Sequence, residues 1–223
     1  ALAPNPATQV VVNCAGRTRS IIGTQSLVNA GLPNPVAALR NGTIGWTLAG
    51  QTLERGAARR FPDDIDATQR DEARRAARAV AERAGVPRIA LADVAALDEP
   101  GRTLYRFDVR TPEEYEAGHL PGFLGTPGGQ LVQETDHHAA VRGARIVLAD
   151  DDGVRADMTA SWLAQMGWDV RVVEPAGAAA FGERGQPPRD VPAPAPATDV
   201  SPATLAGWLK EAAPGELAVV DVT

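Results

Sequence analysis

Val10–Ser20, VVVNCAGRTRS, runs an apolar strand into a cysteine and then into a loop that holds one glycine and two arginines. Three consecutive valines followed by Asn13 read as an interior strand of a parallel sheet, because both faces are apolar. Ser20 to Ala30 then reads as a helix that stops at Gly31. Cys14 therefore stands at the C-terminal edge of a strand and just before a helix, the edge at which α/β sheets bind ligands. Curled around the sulfur, the N–H groups of Ala15, Gly16, Arg17, Thr18 and Arg19 would form an anion-binding nest. Arg17 and Arg19 add positive charge, so the thiol is expected to ionise below the free value of roughly 8.5. A buried structural cysteine is the alternative, since a free thiol often serves as a small core hydrophobe. Two arginines within five residues and a glycine in the turn argue against a wholly apolar pocket.

Composition sets the frame around this loop. The 223 residues are 44% hydrophobic, 22% charged and 4% aromatic, enough for one large domain or two of about 110 residues. A net charge of −6 without a long basic run makes nucleic acid an unexpected partner. No run of 18 apolar residues is present, which argues against a membrane-spanning helix, and Ala1–Pro6 is neither basic nor long enough to read as a secretory signal. The single cysteine rules out an intrachain disulfide and fits a reducing, cytoplasmic setting, with the periplasm left open. The abundance of Ala, Gly and Pro suggests a bacterial source.

Sliding the chain on itself uncovers a repeat. Arg145–Val173, RIVLADDDGVRADMTASWLAQMGWDVRVV, follows the strand, loop, helix, strand plan of Val10–Ala38 at an offset of 136 residues. Arg155 stands opposite Arg19, Leu163 opposite Leu27 and Gly167 opposite Gly31; after a one-residue deletion, Gly177 falls opposite Gly42 and Phe181 opposite Trp46. Asp150 occupies the place of Cys14. The second loop, DDDGVR, keeps the length and the arginine while losing the thiol and gaining carboxylates, so Asp150 and Arg155 mark a degenerate second site.

Upstream of that loop, Leu104–Phe123 reads LYRFDVRTPEEYEAGHLPGF. Asp108 ends a buried strand, Thr111 caps a turn that starts at Pro112, and Gly118 and Gly122 permit a tight loop. His119 is read as a structural hydrogen-bonding residue, because no second metal-type residue sits at helical spacing, and His137 and His138 as solvated loop residues. No metal or cofactor is called for.

This segment resembles the signature of the rhodanese family of sulfurtransferases: a strand ending Asp-Val-Arg, an acidic turn with Glu-Tyr, then Gly-His-Ile-Pro-Gly, with Leu120 here in place of Ile. The C-x4-R spacing from Cys14 to Arg19 resembles the family's active loop; the C-x5-R loop of tyrosine phosphatases is one residue longer and fits a tetrahedral phosphate. The resemblance implies a doubly wound parallel α/β sheet of rhodanese type, repeated, with one complete domain flanked by partial ones. It also implies an enzyme, a thiosulfate sulfurtransferase that carries sulfane sulfur as a Cys14 persulfide from thiosulfate or a similar donor to a thiol or cyanide acceptor. Arg17 would draw in the anionic donor, and Arg19, at the motif position, would brace the loop through a carboxylate. A different class of reading makes the domains a non-catalytic or redox-sensing regulatory scaffold.

The expected organisation is the C-terminal half of an active-type domain at 1–60, a linker helix at 61–85, a complete inactive-type domain at 86–182, a proline-rich linker at 183–198 and the start of a further domain at 199–223. Asn41–Gly50 resembles a domain-closing segment, with Trp46 packed on the sheet or on a neighbour. Asp66–Ala84 reads as a solvated helix with Thr68 as cap and Gly85 as stop. Glu183–Asp199 holds five prolines and reads as an extended spacer. Val200–Thr223 parallels Ile89–Arg110, with Pro214-Gly215 matching Pro100-Gly101 and Asp221-Val222 matching Asp108-Val109. A half domain, a whole one and the opening of another imply a fragment of a longer tandem protein, completed by a missing segment or by another copy of the chain.

Overall fold

The computed structural model describes residues 5–56, 66–174, 177–186, 198–213 and 215–220 and forms the strand-loop-helix expected around Cys14. The chain begins with β1 (Val10–Val12), α1 (Thr18–Asn29), β2 (Val36–Ala38) and α2 (Gly42–Leu48). After α3 (Ala67–Arg83) come β3 (Arg88–Ile89), a 3-10 turn at Leu91–Leu97, β4 (Leu104–Asp108), α4 (Pro112–Ala117), β5 (Leu124–Gly125), α5 (Gly128–Gln133) and α6 (Thr135–His138). There follow β6 (Arg145–Ala149), α7 (Val154–Gln165), β7 (Asp169–Val173), a 3-10 turn at Ala178–Ala180 and α8 (Pro202–Glu211). Two compact units result, Ala1–Pro187 and Pro188–Thr223.

Five strands form a parallel sheet in the order β3-β7-β6-β4-β5, and β1 and β2 form a separate parallel pair. The period-2 alternation of β6 shows why the larger sheet is covered on both sides. Ile146 and Leu148 enter one core with Phe107, Leu131, Ala160, Leu163 and Val172, under α3, α5 and α7. Val147 and Ala149 face the other, with Val94, Leu120, Phe123 and Val173. Such strands are apolar on both faces, as an interior parallel strand must be.

The β1 valines fare differently. β1 pairs with β2 in the register Val10↔Val36 to Val12↔Ala38, and Val11 is 56% exposed. The interior position expected for β1 is therefore corrected: among the described residues it has one strand neighbour, and burial needs two covered faces. The half-repeat docks instead through α1, which packs on α5. Trp162 Nε1 donates to Ser26 Oγ at 2.9 Å, and Arg83 donates to the Asn29 carbonyl at 2.8 Å. Ser26 and Trp162 occupy equivalent positions of the two repeats.

Capping follows the sequence with one change. Thr111 and Glu114 form a reciprocal capping box with Pro112 in the first turn of α4. For α3 the cap is Asp66, whose carboxylate accepts from the Thr68 amide, rather than Thr68 itself. A carboxylate at that position satisfies an orphan amide more strongly than a hydroxyl. Nor is α3 wholly solvated, because Ala77, Val80 and Ala81 are buried against α7.

His119 is 5% exposed, stacks on Tyr115 with ring centroids 3.8 Å apart, and places Nδ1 2.9 Å from the Tyr115 carbonyl, a structural role. His137 and His138 end the short helix α6 rather than a loop, with His138 half-buried. Glu183–Gln186 departs from the spacer reading: Glu183 exchanges backbone hydrogen bonds with His119, and Arg184 donates to the Ala117 carbonyl at 2.8 Å. Residues 187–197 of that spacer lie outside the described residues. In the second unit, Ser201 caps α8 through the Thr204 amide. Residues 217–220 form no strand, since a strand requires a ladder partner, and Pro214, Asp221 and Val222 lie outside the described residues.

Candidate functional site

Cys14 follows β1 and is half-buried. Its thiol ionises below the ordinary range. The largest cause is a hydrogen bond from the Ser20 hydroxyl, opposed by partial burial and supported by the amides of Ser20 and Gly16 and by the charge of Arg19. Ser20 is 1% exposed on the first turn of α1. Its hydroxyl donates to the Arg17 carbonyl at 2.8 Å, which fixes the side chain on that turn.

Of the five expected amides, that of Gly16 lowers the thiol pKa, and the Ser20 amide and hydroxyl do so as well. A sign was present in the repeat, because Ala156 stands where the first copy has Ser20. Arg17 precedes α1 with its side chain exposed, and Thr18 opens the helix. Arg17, Ser20, Ile21 and Arg40 line a cavity of about 330 Å³ beside the loop. Arg40 is a second cation there that spacing alone did not single out. The carboxylate brace expected of Arg19 is not found among the described residues, where its partner is Gln130 Oε1 at 3.4 Å.

The second loop shows that brace fully formed. Arg155 grips Glu114 through two bonds, at 2.6 and 3.0 Å, and Asp151 at 3.2 Å. Hydrogen bonding from Arg155 holds the Glu114 carboxyl down at about 2. Glu114 belongs to the TPEEYE segment, 41 residues before Arg155.

Asp150, 4% exposed, accepts from the Gly153 amide at 2.6 Å and from the Ala156 amide at 2.9 Å. Ala156 corresponds to Ser20, so one loop amide serves the sulfur in one repeat and a carboxylate in the other. The second nest is filled by its own side chain. Burial pushes Asp150 up to about 6, against the pull of the Ala156 amide and aided by Asp152.

This has a measurable consequence. The folded chain holds the Asp150 proton more tightly than the unfolded chain, so the contribution of Asp150 to stability is full below about pH 4 and is lost as pH rises through about 6. A gap of about two units corresponds to about 3 kcal/mol. Glu114 acts oppositely, contributing above its ordinary value of 4.5 and losing that contribution as pH falls towards 2. Asp150→Asn is expected to flatten the decline in stability between pH 4 and 6, measured by urea unfolding across that range; an unchanged slope would exclude Asp150 as its source.

Among the described residues no group of three His, Cys, Asp or Glu side chains is placed to hold a metal ion, and no helix is long and apolar enough to cross a membrane. A thiol shifted towards ionisation, with Arg17 and Arg40 lining the cavity beside its loop, is chemically suited to act as a nucleophile.

The chain is similar to known proteins over much of its length. Residues 90–175 match the Rhodanese-like domain family. A crystal structure of thiosulfate sulfurtransferase from Pseudomonas aeruginosa is 66% identical, with a TM-score of 0.80, and the match covers 94% of this chain and 40% of that protein. The chain thus spans well under half of that relative. A 3-mercaptopyruvate sulfotransferase from Escherichia coli is 19% identical over 79% of this chain and 70% of its own, with a TM-score of 0.34. No match was found among curated proteins.

Proposed function

The chain belongs to the rhodanese family through its domain at residues 90–175, and from that premise we propose that the protein is a thiosulfate sulfurtransferase whose nucleophile is Cys14. The observation that carries the reading is the Cys14 thiol, drawn towards ionisation by Ser20 and the Gly16 amide in a loop of C-x4-R length. The thiolate attacks the outer sulfur of thiosulfate; an S–S bond forms, the bond to the sulfonate breaks, and sulfite leaves with the electron pair. The outer sulfur of the Cys14 persulfide then passes to cyanide or a thiolate acceptor, which regenerates the Cys14 thiolate. Donors of this kind are anions, and Arg17 and Arg40 supply the matching charge beside the loop.

The repeat at 86–182 is catalytically silent in this scheme. Asp150 cannot carry sulfur, and its carboxylate already occupies the amides that would hold a persulfide. Thiosulfate:cyanide transfer, followed as thiocyanate, tests the proposal, with 3-mercaptopyruvate and p-nitrophenyl phosphate as competing substrates. Thiocyanate formation from thiosulfate with no phosphatase turnover is expected. Phosphatase activity alone, or absence of transfer from either sulfur donor, would overturn it.

A further inference from the structure

The loop of Cys14 is held from outside by a helix that carries no catalytic side chain. The Thr43 amide donates to the Cys14 carbonyl and the Ile44 amide to the Ala15 carbonyl, each at 3.0 Å, and Thr43 Oγ1 adds a contact to the Ala15 carbonyl at 3.3 Å. A trans peptide unit is planar, so its carbonyl and the following N–H point in opposite directions. Fixing the Ala15 oxygen on α2 therefore turns the Gly16 N–H the other way, away from α2, and that amide is one of the groups that lower the Cys14 pKa. This approach depends on Gly42. It has φ +58°, and a Cβ there would lie 2.2 Å from the Cys14 oxygen and 2.5 Å from the Gly16 oxygen. Both are backbone atoms, which cannot swing aside as the end of a side chain would.

The second repeat supplies an internal contrast. Gly177, opposite Gly42, would carry a Cβ with nothing within 4 Å, and the segment after it closes on itself in a 3-10 turn, with the Ala180 amide bonded to the Gly177 carbonyl. One repeat has its helix pressed against the loop; among the described residues the other, with Asp150 in place of cysteine, shows no such approach at Gly177.

We infer that Gly42 is a positioning residue for the nucleophile: it admits the first turn of α2 to the back of the loop, and the amides of Thr43 and Ile44 orient the Ala15–Gly16 peptide so that its N–H stabilises the Cys14 thiolate. This rests on the reading of Cys14 as the reactive group, but its test needs no sulfur donor. The rate of Cys14 alkylation by iodoacetamide, followed against pH in the full chain, reports the thiolate fraction directly. Gly42→Ala is expected to move the profile to higher pH and to slow alkylation at neutral pH by about tenfold, the scale of one hydrogen bond to a charged group. Gly177→Ala is expected to leave the profile unchanged. Ile44→Pro removes the amide that holds the Ala15 carbonyl while a first-turn proline is tolerated, and it shifts the profile in the same direction even if Gly42→Ala does not fold. A wild-type profile in folded Gly42→Ala or in Ile44→Pro would overturn the inference. Normal alkylation shifts in a chain that transfers no sulfur would instead refute the proposed activity and leave the positioning role standing.

Discussion

Cys14→Ser eliminates sulfur transfer, with turnover lowered by at least about three orders of magnitude, while the fold persists. The serine hydroxyl stays protonated at neutral pH, so the hydrogen bonds from Ser20 and the Gly16 amide that favour a thiolate have no anion to stabilise. Structurally the change is small, because the residue is half-buried in a loop fixed by backbone bonds to α2. Thermal unfolding within about 1 kcal/mol of wild type is expected. The second repeat cannot take over: adding Asp150→Cys to this variant places a thiol where Gly153 replaces Arg17 and Ala156 replaces Ser20, and activity stays near background. Thiocyanate production by Cys14→Ser above a small fraction of wild type would remove Cys14 from the mechanism.

Arg88→Met is the most damaging change expected for stability. Arg88 on β3 forms an ion pair with Asp157 on α7, which is 2% exposed. Burial raises the Asp157 pKa even though Arg88 and Arg78 pull it down, so the carboxylate depends on its partner to remain charged. Removing Arg88 leaves a buried charge unpaired, which costs about 3–5 kcal/mol, or a fall of roughly 10 °C in unfolding temperature for a chain of this size. The penalty shrinks as pH falls, because protonation of Asp157 then relieves it. Changing both members, Arg88→Met with Asp157→Leu, recovers much of the loss. Urea unfolding of the three variants at pH 5 and 7 reads this out, and a single variant within about 1 kcal/mol of wild type at pH 7 contradicts it.

The parts of the fold written in side chains near one another were legible in the chain. The valines of β1 announce a strand, Gly31 ends α1 with φ +81°, and Thr111 with Glu114 spells out its capping box. Burial was harder to read, because it depends on neighbours distant in sequence: Val11 of β1 and Val147 of β6 stand at equivalent repeat positions, yet Val11 is exposed while Val147 is fully buried. Trp46 likewise lies 41% exposed, with its indole N–H bonded to the Thr52 carbonyl. At the site, cysteine, arginine and loop length are visible as letters. The role of α2 is not, since it acts through backbone amides that Thr43 and Ile44 share with every other non-proline residue. The brace on Arg155 needed the fold as well, because Glu114 is 41 residues away.

The most direct measurement of the central claim is the intact mass of the protein after incubation with thiosulfate and removal of excess donor, followed by peptide mapping. The account predicts a gain of about 32 Da, one sulfur atom, confined to the peptide containing Cys14 and reversed by cyanide, as a thiolate exchanging with sulfane sulfur requires. A chain that alkylates readily at Cys14 but gains no such mass would contradict it.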